Sequence, residues 1–127
     1  MDKLTSHKIE SGAGKHKVYL FAVVTVDGIM ASLVGGEKPH LGGVVLSIPR
    51  KSLADAAVTS CTSSVLPLVG HKDDEAARPL AEMLARELSV PVCVAAGVHV
   101  DNAGPGDIEI LKENCIDCGR RLLDLIK

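Results

Sequence analysis

The stretch Val18-Tyr19-Leu20-Phe21-Ala22-Val23-Val24-Thr25-Val26-Asp27-Gly28-Ile29-Met30-Ala31-Ser32-Leu33-Val34 decides the fold class. Its first nine residues are apolar on both alternating faces and rich in β-branched side chains, which predicts a buried strand over 18–26. Asp27-Gly28 is a strong two-residue hairpin turn, and Ile29–Val34 is the return strand. Working outward, a loop over Gly36–Gly42 leads to a third strand, Val44–Ile48, closed by Pro49. Residues 50–59 read equally as loop or a short helical turn. Ser60–Leu68 is a fourth strand.

A helical period runs from about Asp73 to Leu88, with Leu80, Met83, Leu84 and Leu88 on one stripe. Pro79 inside it predicts either a kink or the true helix start. Pro91–Val98 is a fifth strand, apolar on both faces. From Asp107 to Lys127 the period is helical again, with Leu111, Cys115, Cys118, Leu122 and Ile126 on one face. Asn114, three residues before Asp117, is a candidate cap for a second helix within that tail. The expected architecture is α/β (α+β): one layer of five or six mostly antiparallel strands with two or three helices. Residues 1–127 read as a single domain, with 1–15 flexible or a short edge strand.

Composition narrows the function. The 127 residues are 46% hydrophobic and 24% charged, but only 2% aromatic, namely Tyr19 and Phe21. The apolar content is too high for a disordered chain. A single-strand nucleic-acid binder needs aromatic platforms on a basic surface, and this chain lacks the platforms and carries a net charge of −2. Residues 1–51 hold seven Lys/Arg and four Asp/Glu, and residues 52–127 hold seven and twelve, without a polybasic arm or an acidic tail. The apolar run at 18–26 is far short of a membrane span. Asp2 and Glu10 before it, and Asp27-Gly28 after it, argue against a signal peptide. A cytoplasmic protein with reduced cysteines is expected.

Element order places three loops together. If the first four strands are antiparallel neighbours, the second and fourth end at one edge of the sheet. A helix of about 17 residues spans roughly 25 Å, the length of a strand, and returns the chain so that the fifth strand ends there too. His40, His71 and His99 follow those three strands, whereas His7 and His16 lie elsewhere. Around His40, the run Gly35-Gly36-Glu37-Lys38-Pro39-His40-Leu41-Gly42-Gly43 reads as a long hairpin loop or as a concavity of backbone N–H groups for an anion or close-lying ligand. Gly70-His71-Lys72-Asp73-Asp74 opens a helix with carboxylates that suit a cation better than a phosphate. His99 ends a strand two residues before Asp101. Three imidazoles with nearby carboxylates have the chemistry to ligate a divalent metal, and His40, His71, His99 and Asp73 are the candidate ligands.

At these residues the chain resembles the LpdD-like family of prenylated-flavin chaperones. Gly35-Gly36-x-x-Pro39-His40-Leu41-Gly42, Gly70-His71-Lys72-Asp73 and Ala96-Gly97-Val98-His99-Val100 are similar to its three motifs, in matching order, over a likeness running from about His16 to the C-terminus. The resemblance implies a fold similar to the proteasome-assembly chaperones. It implies binding of prenylated FMN, or FMN, and support of its delivery to, or oxidative maturation for, a UbiD-type decarboxylase, with a flavin prenyltransferase as a further partner. The implied cofactor-binding residues are Gly35, Gly36, Lys38, Pro39, His40, Gly42, His71, Lys72, Gly97 and His99. Cys115-x-x-Cys118 lies outside the family motifs. A CxxC at a helix N-terminus supports disulfide exchange, but both cysteines lie on the apolar stripe, where free cysteine acts as a small hydrophobe.

Three functions follow for testing: a non-enzymatic flavin chaperone, a three-histidine hydrolase or lyase with Asp73 or Asp101 as base, and a protein-assembly chaperone with no small ligand. An apolar helix face and a two-faced apolar sheet in so short a chain also predict a homodimer.

Overall fold

The computed structural model describes residues 4–68 and 74–127. In chain order they form strand β1 (Thr5–Ser11), a 3-10 turn (Gly14–His16), β2 (Val18–Val24), β3 (Ile29–Gly36), β4 (Gly43–Lys51) and β5 (Thr59–Pro67). Helix α1 (Asp74–Leu88), strand β6 (Val92–His99) and helix α2 (Pro105–Ile126) follow. The strands make one sheet in the order β1-β2-β3-β6-β4-β5. Only the β3–β6 pair is parallel, so the sheet is mostly antiparallel, as the sequence predicts.

The expected neighbours differ at the centre. β3 and β4 are not paired; β6 lies between them, parallel to β3 and antiparallel to β4. β6 is apolar on both faces, and a strand of that kind is most stable with a neighbour on each side. Within residues 1–15, expected as flexible or a short edge strand, Thr5–Ser11 form the edge strand β1, paired from Thr5↔Val24 to Ser11↔Val18. The first hairpin turns one residue earlier than the expected Asp27-Gly28: Thr25 N–H and the Thr25 hydroxyl both donate to the Gly28 carbonyl at 2.9 Å and enclose Val26 and Asp27. β4 runs through Pro49, because its pairing with β6 ends at Ser47↔Val92 and the missing N–H beyond it breaks no ladder bond to β6.

Alternation sorts each strand into two faces. Val18 and Leu20 of β2, Leu33 of β3, Val45 of β4 and Val92 and Val94 of β6 are fully buried against Leu80 and Leu84 of α1 and Cys118 and Leu122 of α2. α1 covers β4, β5 and β6, and α2 covers β1 and β2. Among the described residues, no helix lies on the second face. α1 passes through Pro79 rather than starting at it. A short polar chain ties α1 to the sheet: the buried Ser47 hydroxyl lies 2.8 Å from that of Ser63, which donates to Glu82 of α1 at 2.7 Å. Burial pushes the Glu82 carboxyl up, but bonds from Ser63 and Arg78 outweigh it and leave the group below its ordinary value.

α2 is continuous, without the second helix start expected at Asn114; the Asn114 amide donates to the His16 carbonyl at 2.8 Å instead. Cys115 and Cys118 therefore sit mid-helix, and both are buried. Burial pushes the Cys118 thiol up to about 11, so it stays a protonated core side chain. The helix begins at Gly104, whose N–H donates to Asp107 at 3.0 Å, and Asp107 also accepts from His16 Nε2 at 2.7 Å. The His16 bond, with the Gly104 N–H and Lys15 behind it, brings the Asp107 carboxyl down from 3.8 to about 2.

A depressed carboxylate stabilises the fold above its unfolded pKa and loses that contribution as pH falls through the folded one. The melting temperature of Asp107→Asn should therefore lie below wild type at neutral pH, with the gap closing between about pH 4 and pH 2. A pH-independent gap in thermal melts would contradict this assignment. Among the described residues no helix is long and apolar enough to cross a membrane.

Candidate functional site

β3 and β6 run side by side and end together, with Gly36 level with His99. β5 points the same way, since it is antiparallel to β4 and β4 is antiparallel to β6; its last residue, Pro67, lies opposite Gly43, which in turn lies opposite Ala96. The predicted common edge thus exists, though through a different strand order. His71, Lys72 and Asp73 lie outside the described residues. The chain reaches them from this edge, where Leu68 N–H donates to the Gly42 carbonyl at 2.9 Å.

Loop 37–42 crosses the end of β6. Glu37 and Lys38 N–H donate to the His99 carbonyl at 2.7 and 3.3 Å, His40 N–H to Gly97 at 3.4 Å and Gly42 N–H to Ala96 at 2.8 Å. These amides are engaged within the protein, so the loop is not the cradle of outward N–H groups that its glycines suggest. Two glycines serve a close approach instead. Gly36 has φ +74, and a Cβ there would stand 2.2 Å from the His99 carbonyl oxygen. A Cβ on Gly97 would stand 1.6 Å from the His40 carbonyl oxygen. Gly35 faces the other way, toward the Lys17 carbonyl.

That seating brings His40 and His99 together, with ring centroids 6.4 Å apart and planes at 77°. His40 Nδ1–H donates to the Lys38 carbonyl at 2.8 Å, which puts the lone pair of the neutral ring on Nε2. His99 Nε2 lies 2.9 Å from Asp101 Oδ1, and the Lys38 ammonium is 3.1 Å from the same oxygen. Those two contacts, the His99 bond foremost, hold the Asp101 carboxyl below its ordinary value. Glu37 closes the ring by accepting the Asp101 N–H at 3.0 Å. Sequence spacing pointed to Asp101 as a neighbour of His99. Nothing in it signalled Glu37, whose partner is 64 residues away.

The structure thus joins Gly36, Lys38, Pro39, His40, Gly42, Gly97 and His99 at one edge, with Glu37 and Asp101 added. A divalent metal needs about three protein donors. No group of three or more His, Cys, Asp or Glu side chains is arranged to hold a metal among the described residues.

The domain model for the prenylated flavin chaperone LpdD-like domain matches residues 12–127. The chain belongs to this family. The match covers every strand but β1 and takes in the whole LpdD-like edge. Among solved structures, the LpdD-like chain is similar to one described as a novel chaperone complex for yeast 20S proteasome assembly, at 19% identity and a TM-score of 0.57. That likeness covers 98% of this chain and 94% of the other, and it bears out the expected fold. No curated protein matches the LpdD-like chain.

Proposed function

We propose that the chain is a cytoplasmic, homodimeric chaperone that binds prenylated FMN, or FMN, where His40 and His99 meet. It holds the flavin for delivery to, or oxidative maturation for, a UbiD-type decarboxylase, taking it from a flavin prenyltransferase. The observation that supports this best is the close seating of loop 37–42 on Gly97, which pairs two imidazoles beside a lysine in a chain of the prenylated flavin chaperone LpdD-like family.

The bound flavin would supply an apolar ring, polar ring-edge atoms and a phosphate. The half-buried Val34, Val44 and Ala95 lie next to the loop on the helix-free face and offer an aliphatic wall for the ring. His40 and His99 offer hydrogen bonds to its edge, each imidazole being donor at one nitrogen and acceptor at the other. Lys38 offers the positive charge for a phosphate and must leave Asp101 to do so. No step is assigned to a metal. Without an aromatic sandwich the ring is held by few strong contacts, which suits a carrier that releases its cargo.

Titration with reduced prenylated FMN and with FMN tests this. Wild type should give a saturable spectral change, weakened about tenfold or more in His99→Ala, the loss of one charged-group hydrogen bond being worth about 1.5–3 kcal/mol. The same null response from wild type and variant would refute the proposal.

A further inference from the structure

We propose that the outer edge of β5 takes an extended, acidic segment of a partner protein, which joins the sheet as a seventh strand. The sheet has two outer strands, β1 and β5, and their edges differ. Natural edges are guarded by charged side chains or covered, because a free row of N–H and C=O groups recruits other strands. β1 is guarded: it carries Lys8 and Glu10, 3.8 Å apart, and Arg121 donates to the Glu10 carbonyl at 3.2 Å. β5 is not. From Thr59 to Leu66 it has neither a charged residue nor a proline.

The main chain of β5 is set for addition. Leu68 N–H turns inward to the Gly42 carbonyl, and at the other end Ser52 N–H meets the Val58 carbonyl. An antiparallel ladder alternates, so Ser60, Thr62, Ser64 and Leu66 also turn inward, to β4. Thr59, Cys61, Ser63 and Val65 turn their N–H and C=O groups outward, and among the described residues no strand pairs with that row. Main-chain bonds to such a row give an added strand its affinity, and its alternate side chains give the specificity.

Charge selects an acidic occupant. The whole chain carries −2, yet the charged groups against β5 are mainly cations. On the helix side, Arg78, Glu82 and Arg86 follow one another at helical spacing along one flank of α1. Glu82 Oε2 is engaged, accepting from Ser63 at 2.7 Å and from Arg78 at 3.2 Å. Arg86 Nη1 lies 3.9 Å from Cys61 Sγ, and the Arg78 side chain is 55% exposed. On the opposite side Arg50 donates to Thr62 at 2.8 Å, and Lys51 stands level with Thr59. Asp55, in the turn before β5, accepts the Ala57 N–H. Side chains of an added strand alternate between the two faces, so acidic residues meet arginine in either register and basic ones meet like charge. β5 also runs toward the cargo edge, where Pro67 lies opposite Gly43. A strand docked on it ends three strand spacings, about 14 Å, from β6.

Fluorescence anisotropy on the full chain, without flavin, tests the edge. The probe is a labelled, capped peptide of nine residues, the length of β5, alternating threonine with glutamate. Wild type should bind it saturably, more weakly as salt rises, and should not bind the same pattern built with lysine. The double variant Arg78→Glu, Arg86→Glu should weaken binding about tenfold or more. Val65→Pro should abolish it, because proline removes an outward N–H and spares the ladder to β4. Amide exchange on wild type covers poor folding of a variant: the acidic peptide should slow exchange at Cys61, Ser63 and Val65 and leave β1 unchanged. Equal binding of the two peptides, or binding without that protection, overturns the proposal. So does protection of the same amides by raising chain concentration alone, which would give the edge to a second copy. The flavin titration is a separate measurement, and neither result decides the other.

Discussion

Gly97→Val should abolish flavin binding and lower the melting temperature by about 10 °C. The hydrogen that valine replaces faces the His40 carbonyl, and even the first added carbon would sit 1.6 Å from its oxygen and 2.2 Å from its carbon. The obstacle is backbone, so no side-chain rotation relieves it. The loop must lift from β6, breaking the His40-to-Gly97 and Gly42-to-Ala96 hydrogen bonds and separating the two imidazoles. Overpacking of a filled site costs about 1–3 kcal/mol, and a domain of this length loses roughly 3–5 °C per kcal/mol. His40→Ala separates the two effects: it removes the imidazole without moving the backbone, so binding should fall while the melt stays near wild type. A Gly97→Val protein with native melt and native affinity would show that the loop does not position the site.

The other large effect is expected at Gly119, where α2 crosses α1. Helix propensity alone favours replacing a mid-helix glycine, by up to about 1 kcal/mol for alanine. Packing opposes it. A Cβ at Gly119 would stand 2.4 Å from both Leu80 Cδ1 and Met83 Cε. Those are the ends of flexible side chains, so Gly119→Ala should be close to neutral. Gly119→Leu has no such escape: Leu80 is fully buried, and the added atoms must part the two helices. A loss of about 3 kcal/mol is expected, read as an earlier denaturation midpoint at unchanged slope. Equal midpoints for wild type and Gly119→Leu would mean that the helices do not meet at this glycine.

Much of this was legible in the residues, through pattern. Alternation and β-branching located the strands from Val18 to His99 to within a few residues, because one buried face imposes a period of two. The meeting of His40 with His99 followed from strand direction alone, which is why it survived a mistaken neighbour order. What pattern does not encode is lateral position. An apolar strand such as β6 is marked as central by its two buried faces, but nothing local says that it parts β3 from β4. The site's finer contacts fail for the same reason. The Gly97 seat and the Glu37 to Asp101 bond join chain segments about 60 residues apart and leave no periodic trace. Asn114 had a correct cap chemistry and a stronger tertiary partner in His16.

The central place of β6 has a consequence in time. As the chain leaves the ribosome, β1–β3 and β4–β5 can each form antiparallel hairpins, but they share no ladder until residues 92–99 arrive to join them. Contacts between distant segments form slowly because loop closure precedes their reward. His40 is made early yet has nowhere to sit until Gly97 has been synthesised. A nascent chain released before its last quarter therefore carries the motif without the site, and competence to accept cargo begins only when the sheet is closed from the inside.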